Sequence, residues 1–289
     1  MASCKSLYAV AFIFFSSQLA VHSLPRSRST EFTPVPSVDC QSKPQSDMPF
    51  CDTSKSFMER AVNLVSRMTT AEKIGQTSTN APAIPRFGIK DYIWRSNCLH
   101  GWTANGGNWT SDLKWTVFLT PIGLGATFDV DLIMKVGQVT ADEGRALHNE
   151  MLVSNNGSST LAAGLNCFSP NVNLLRDPHW GRAEETFGED PYLLSVIGSA
   201  YTRGLQEGDN KKYMKVAASP KHYAVHSGPD NIRRSLLPML ASMICMTHIF
   251  QLLSHRLWEQ KLLKSCQLTV GCDANINVMG HQMLPTPFF

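Results

Sequence analysis

Three short apolar runs, each giving way to a polar loop punctuated by Gly and Pro, constrain this chain more than any other feature. They are Asp91-Tyr92-Ile93-Trp94, Leu165-Asn166-Cys167-Phe168 and Met214-Lys215-Val216-Ala217-Ala218, and they lead into loops 97–109, 169–191 and 220–234. Helical patterns lie between and before them. Phe57, Met58, Ala61, Val62, Val65 and Met68 recur at helical spacing, and Thr69 with Glu72 forms a capping box that restarts a helix. A second amphipathic stretch runs from about Val130 to Asn149, and a third from Pro191 through Leu194, Ile197 and Leu205 to Gly208. Strand, loop and helix in repetition is the pattern of an α/β protein. A (β/α)8 barrel and a doubly wound sheet both satisfy it; in the barrel, chemistry gathers at the carboxyl ends of the strands.

A length of 289 residues allows one large domain or two ordinary ones. The hydrophobic fraction of 43% and charged fraction of 17% are those of a globular chain. The net charge of +3 is scattered, with no Lys/Arg run, so a nucleic-acid footprint is not expected. At the amino end Lys5 precedes an apolar run from Leu7 to Val21, followed by Val21-His22-Ser23 with small residues where cleavage needs them. Residues 1–23 read as a signal peptide, the run being short for a span of about 20 residues. A secreted, extracellular protein with no membrane attachment after cleavage is expected. Residues 24–53, rich in Ser, Pro and Thr, read as an extended leader. Secretion permits disulfides: Cys40 and Cys51 could staple the leader, while the cysteines after Cys4 are odd in number. Asn108-Trp109-Thr110 and Asn156-Gly157-Ser158 are glycosylation acceptors.

The densest loop is RDPHWGRAEETFGEDPYL, Arg176 to Leu194. A charged surface loop is the usual fate of such residues. Here, however, both signs are mixed, an aromatic ring (Trp180) lies among them, and Gly181 adjoins Arg182. An apolar ring face with fixed guanidinium and carboxylate groups suits a polyhydroxylated ligand. In SPKHYAVHSGPD, Ser219 to Asp230, adjacent Lys221 and His222 end a strand and could both donate to sugar hydroxyls. His222 and His226 have a spacing that places two metal ligands on one helix face, but Pro220 and Gly228 oppose a helix and no Glu follows His222. No metal is expected. The third loop holds Asn97-Cys98-Leu99-His100-Gly101-Trp102. A serine-hydrolase elbow is absent from the sequence, and Gly123-Leu124-Gly125 lacks the third Gly of a dinucleotide loop.

Together the three loops resemble the family 3 glycoside hydrolases, in particular their β-xylosidase and α-L-arabinofuranosidase branch. The carriers are the xHG loop, the PNxNxxRDPxWGRxxET(x)GEDP loop at Pro170 to Pro191, and the Lys221-His222 pair, in that order over roughly residues 54–234. The resemblance implies an incomplete (β/α)8 TIM-type barrel belonging to the family's N-terminal domain. It further implies retaining hydrolysis of O-glycosyl bonds in xylosides or arabinosides, with no metal or organic cofactor. Arg182, Lys221 and His222 would grip the glycone sugar, with Glu185 beside them. Asn97 stands where the family carries a sugar-binding carboxylate, which weakens that contact. Retention needs two carboxyl groups about 5 Å apart. The family places its nucleophile in a later VSD-type motif and its acid/base mostly in a second domain, and neither motif occurs here. Asp273 lacks the expected apolar strand before it, so no catalytic residue is assigned. From Ser235 the chain becomes Met- and Leu-rich (LLPMLASMICMTHIFQLLSHRLWEQ), and segment 235–289 reads as out of frame. The expectation is an inactive fragment of a glycosidase, or else a secreted sugar-binding protein without catalysis.

Overall fold

The computed structural model describes residues 38–102, 115–159, 164–208, 213–223, 226–229 and 269–270, all within the unit Pro34–Phe289. The signal peptide, the Asn108 acceptor and nearly all of the 235–289 tail lie outside the described residues.

Two helices open the fold, and each starts for a local reason. At α1 (Phe57–Arg67) the Ser56 hydroxyl accepts from the Glu59 N–H while the Glu59 carboxylate accepts from the Ser56 N–H. Thr69 and Glu72 repeat the device at α2 (Thr70–Gln76), as the sequence predicts. Such caps are worth about 1 kcal/mol each. The strands β1 (Asn80–Ala81) and β2 (Tyr92–Ile93) then pair antiparallel. The next strand, β3 (Arg95–Ser96), belongs to a different sheet. After it come α3 (Pro121–Gly125), α4 (Val130–Ser154), β4 (Asn166–Cys167), α5 (Pro191–Gln206), β5 (Ala217–Ala218), β6 (Lys221–Tyr223) and β7 (Thr269–Val270).

The central sheet has order β3-β4-β5, all parallel, with Arg95 opposite Asn166 and Asn166 opposite Ala217. Parallel neighbours joined through helical crossovers are the arrangement that a sector of a (β/α)8 barrel requires. The apolar run Tyr92-Ile93-Trp94 does hold a strand, β2, but it pairs with β1, and the central sheet takes Arg95–Ser96 instead. Polarity hid it, because Arg95 is exposed and the buried Ser96 hydroxyl is satisfied by donating to Asn166 O (3.2 Å). At the far end, Thr269–Val270 pairs parallel with β6, so a strand does precede Asp273, which itself lies outside the described residues.

The main core forms where α5 crosses α4 above this sheet. Ile133, Val136, Leu194, Ile197, Tyr201 and Leu205 pack with Trp102, Val216, Ala218 and the half-cystines Cys98 and Cys167. A smaller cluster of Phe50, Ile84 and Phe87 packs against Leu64 and Met68 of the amino-terminal part. The described part of the leader turns back on itself there: it holds a 3-10 turn at Gln45–Asp47, and a Cys40–Cys51 disulfide closes it, with Cα atoms 5.4 Å apart. All four cysteines among the described residues are therefore bonded, since Cys98 pairs with Cys167. That leaves Cys245, Cys266 and Cys272 of the odd set, outside the described residues. Among the described residues no helix is long and apolar enough to cross a membrane.

The apolar stripe of α1 is only partly covered. Leu64 and Met68 touch the small cluster, whereas Phe57, Met58 and Val62 are 56%, 55% and 60% exposed. A side chain left in water contributes little to folding. Val62→Lys is therefore expected to change the urea unfolding free energy by less than about 0.5 kcal/mol. Ile197→Ala, at a fully buried position, should cost about 2–5 kcal/mol. Equal losses in the two variants would mean that α1 is covered in solution.

Candidate functional site

The carboxyl ends of β3, β4 and β5 point three loops to one edge of the sheet. The first, after β3, is held by Gly101 and His100. Gly101 has φ +120, and a Cβ there would meet Thr116 O at 2.3 Å. His100 and Phe118 lock together, Phe118 N donating to His100 O (2.8 Å) with His100 Nδ1 3.2 Å from Phe118 O. His100 thus secures the loop. Asn97 stands between this anchor and β3, half-buried, with its Oδ1 buried and, among the described residues, lacking a hydrogen-bond partner.

The second loop is braced from inside. Thr186, fully buried, donates to Asn173 O, and Leu175 N donates to Gly188 O (3.1 Å), where φ is +146. Arg176 ties it to the third loop through Ser227 Oγ (3.0 Å). On this frame Arg182 donates from Nε to Glu185 Oε1 (2.7 Å) and from Nη2 to Glu185 Oε2, a bidentate pair with each side chain 25% exposed. Arg182 Nη1 lies 3.3 Å from His222 Nε2. A guanidinium can only donate, so Nε2 accepts and the ring proton sits on Nδ1, which donates to Asn173 Oδ1 (2.8 Å). Asn173 Oδ1 also accepts the His222 N–H (2.9 Å). His222 is thus fixed in tautomer and direction by two residues on the neighbouring loop.

The cluster is electrostatically tuned. Burial pushes the Glu185 carboxyl up, but the hydrogen bonds and charge of Arg182, helped by the charge of Lys221, hold it below its ordinary range. Lys221 is 6% exposed; burial, reinforced by the Arg182 charge and partly offset by Glu185, pushes its ammonium down to about 8. The sign of the consequence follows from linkage. Between pH 8 and the ordinary value of 10.5 the unfolded chain holds a proton that the folded chain has released, so stability rises with pH in that window. Lys221→Met is expected to remove this slope and to be more stable at pH 7, by at most roughly 3 kcal/mol. Urea titrations of both proteins at pH 7 and 10 test this; parallel curves would exclude a perturbed Lys221.

The structure therefore brings Arg182, Glu185, Lys221 and His222 together. Among the described residues no hydrogen bond joins Asn97 to them. Sequence reasoning missed Asn173, although it is the second Asn of the Pro170-Asn171-Val172-Asn173 start of the motif. The ring of His226 stacks on that of His222, with centroids 3.9 Å apart and planes 10° from parallel, and meets Trp180 edge-on at 6.1 Å. Stacked rings do not aim their nitrogens at a common point, and the guanidinium on His222 Nε2 occupies the position a cation would need.

Two cations, a carboxylate and an oriented imidazole thus converge at the ends of parallel strands. Residues 60–234 match the Glycosyl hydrolase family 3 N terminal domain. A xylan 1,4-beta-xylosidase of Xylanibacter ruminicola is 44% identical over 188 residues, covering 65% of this chain and 21% of that protein. Beta-xylosidase/alpha-L-arabinofuranosidase 1 of Medicago sativa subsp. varia is 42% identical over 183 residues, or 61% of this chain and 22% of its own. A solved family 3 exo-beta-xylosidase, in complex with a xylobiose aziridine activity-based probe, superposes with a TM-score of 0.55 at 36% identity, over 66% of this chain and 24% of that one. The chain thus spans less than a quarter of the length of these relatives. With the family's motif loops meeting at one sheet edge, and the match running over most of the chain, this protein belongs to glycosyl hydrolase family 3 and carries part of its N-terminal barrel domain.

Proposed function

We propose that this chain carries the sugar-gripping part of a retaining β-xylosidase-type glycosidase, one that hydrolyses O-glycosyl bonds in xylan breakdown. The observation that carries this reading is the linked set Arg182, Glu185, His222 and Asn173, with Lys221 charged below pH 8 beside it. Arg182 and Lys221 donate to sugar hydroxyls, and His222 holds its ring edge in a set direction. The bond-breaking carboxylates belong to parts of the family's polypeptide that this sequence does not spell. On its own the chain binds the glycone sugar and does not turn it over.

The test is titration of the secreted chain with D-xylose and with D-galactose by calorimetry, alongside a chromogenic β-xyloside assay. Saturable xylose binding without hydrolysis is expected. Hydrolysis above background would overturn the missing-nucleophile reading, and absence of binding would overturn the site. Secretion is part of the same proposal. Asn156 supports it: exposed, with φ 48 just after α4, it heads an acceptor triplet. Asn156→Gln is expected to lose the mass removed by an endoglycosidase, and an unchanged mass would place no glycan there.

A further inference from the structure

We propose that the Cys98–Cys167 disulfide is a positioning element of the sugar site, holding Asn97 in place. The pairing of β3 with β4 ends at Ser96, whose carbonyl accepts from Phe168 N (3.0 Å). Among the described residues no sheet hydrogen bond reaches the chain beyond that point. Cys98 is then caught from several sides. Its side chain is bonded to Cys167 at the end of β4, with Cα atoms 5.9 Å apart and both residues fully buried. Its N–H donates to Ser169 Oγ at a long 3.4 Å, and its carbonyl accepts from the Tyr201 hydroxyl.

Asn97 is the single residue between the last ladder bond and this covalent link. Among the described residues its Oδ1 makes no hydrogen bond that would set its direction. The direction comes from the backbone, pinned at Ser96 on one side and Cys98 on the other. A binding side chain must be held within about 0.5 Å of its working position by its supports.

The inference rests on the proposed sugar site for its binding arm only. Non-reducing peptide mapping of the secreted chain is expected to find Cys98 linked to Cys167; free thiols would overturn the proposal. In a Cys98→Ala/Cys167→Ala variant, hydrogen exchange at the amides of 97–101 and 167–169 should speed at least tenfold, while α4 and α5 stay protected. Unchanged exchange would overturn it. If that variant loses protection in α4 and α5 as well, Cys98→Ala alone, which keeps the Cys167 side chain in the core, is read in the same way. Xylose affinity completes the test. The cysteine pair and Asn97→Ala should each weaken binding, and the combined variant should be no weaker than Asn97→Ala. Losses that multiply would show that the bridge does not act through Asn97. A wild-type chain that binds no xylose would sink the proposed function, and the exchange result would still decide what the bridge does.

Discussion

Replacing Arg182 with alanine is expected to lower xylose affinity by about 100-fold or more. The change removes a charged donor to the ligand, worth about 1.5–3 kcal/mol, and releases the residues that Arg182 holds. Glu185 loses both of its bonds from the guanidinium, and His222 Nε2 loses its donor. Stability should fall as well, by about 1–3 kcal/mol; the side chains are 25% exposed, which keeps the loss below that of a fully buried pair. The pH dependence identifies the cause. In the wild type the depressed Glu185 contributes stability that is present above its ordinary value of 4.5 and is lost as pH falls through the folded value. Without Arg182, burial dominates, the carboxyl rises, and that acid-side loss should disappear. Arg182→Lys should not restore binding, because one ammonium cannot serve both carboxylate oxygens and the imidazole in the geometry of a planar fork. Calorimetry with xylose and urea unfolding at pH 4 and 7 read all of this. Unchanged affinity in the alanine variant would remove Arg182 from the sugar site.

The second large effect is expected far from the sugar. At the α4–α5 crossing, Gly204 and Gly137 let two backbones touch. A Cβ on Gly204 would stand 2.3 Å from Met134 O and 3.1 Å from the Gly137 Cα, and one on Gly137 would stand 2.8 Å from Tyr201 O. Backbone cannot rotate away as a side chain can, so the helices must part and open the core formed by Ile133, Leu194, Ile197 and Tyr201. Gly204→Ala should therefore cost about 3 kcal/mol or more, despite the roughly 1 kcal/mol that alanine gains over glycine in a helix. Against a net stability of about 5–15 kcal/mol for ordinary domains, that is a large share. Gly123→Ala is the control. Its Cβ would meet Leu119 at an ordinary 3.5 Å, so the same propensity gain should appear without the clash. Similar stabilities for the two variants by urea unfolding would contradict the close crossing.

Local chemistry was readable directly from the sequence. Thr69 and Glu72 are three residues apart and need nothing else to cap α2, so their pattern foretells their structure. Arg182 and Glu185, also three apart, sit in a loop whose composition already points to a polar ligand. Lys221 and His222 are readable for the same reason. What was not readable depends on distant partners. Asn173 orients a histidine 49 residues away. Arg95–Ser96, and not the more apolar Tyr92–Ile93 that pairs with β1, joins the central sheet, because the parallel ladder and not hydropathy chose it. The helical stripe of α1 predicted a helix correctly, yet its spacing could not say that Phe57 and Val62 would face water.

From the sequence alone came the helix starts, the alternating α/β plan and the set of charged groups available to a sugar. The tertiary structure alone decided that Cys98 meets Cys167, that Tyr201 reaches Cys98 across 103 residues of chain, and that Arg182 meets His222 across 40. The division has a physical cause. Caps and turns are settled by hydrogen bonds within a few residues, whereas strand register and side-chain convergence are settled by the packing of whole elements, and no local pattern records which distant element will be the neighbour.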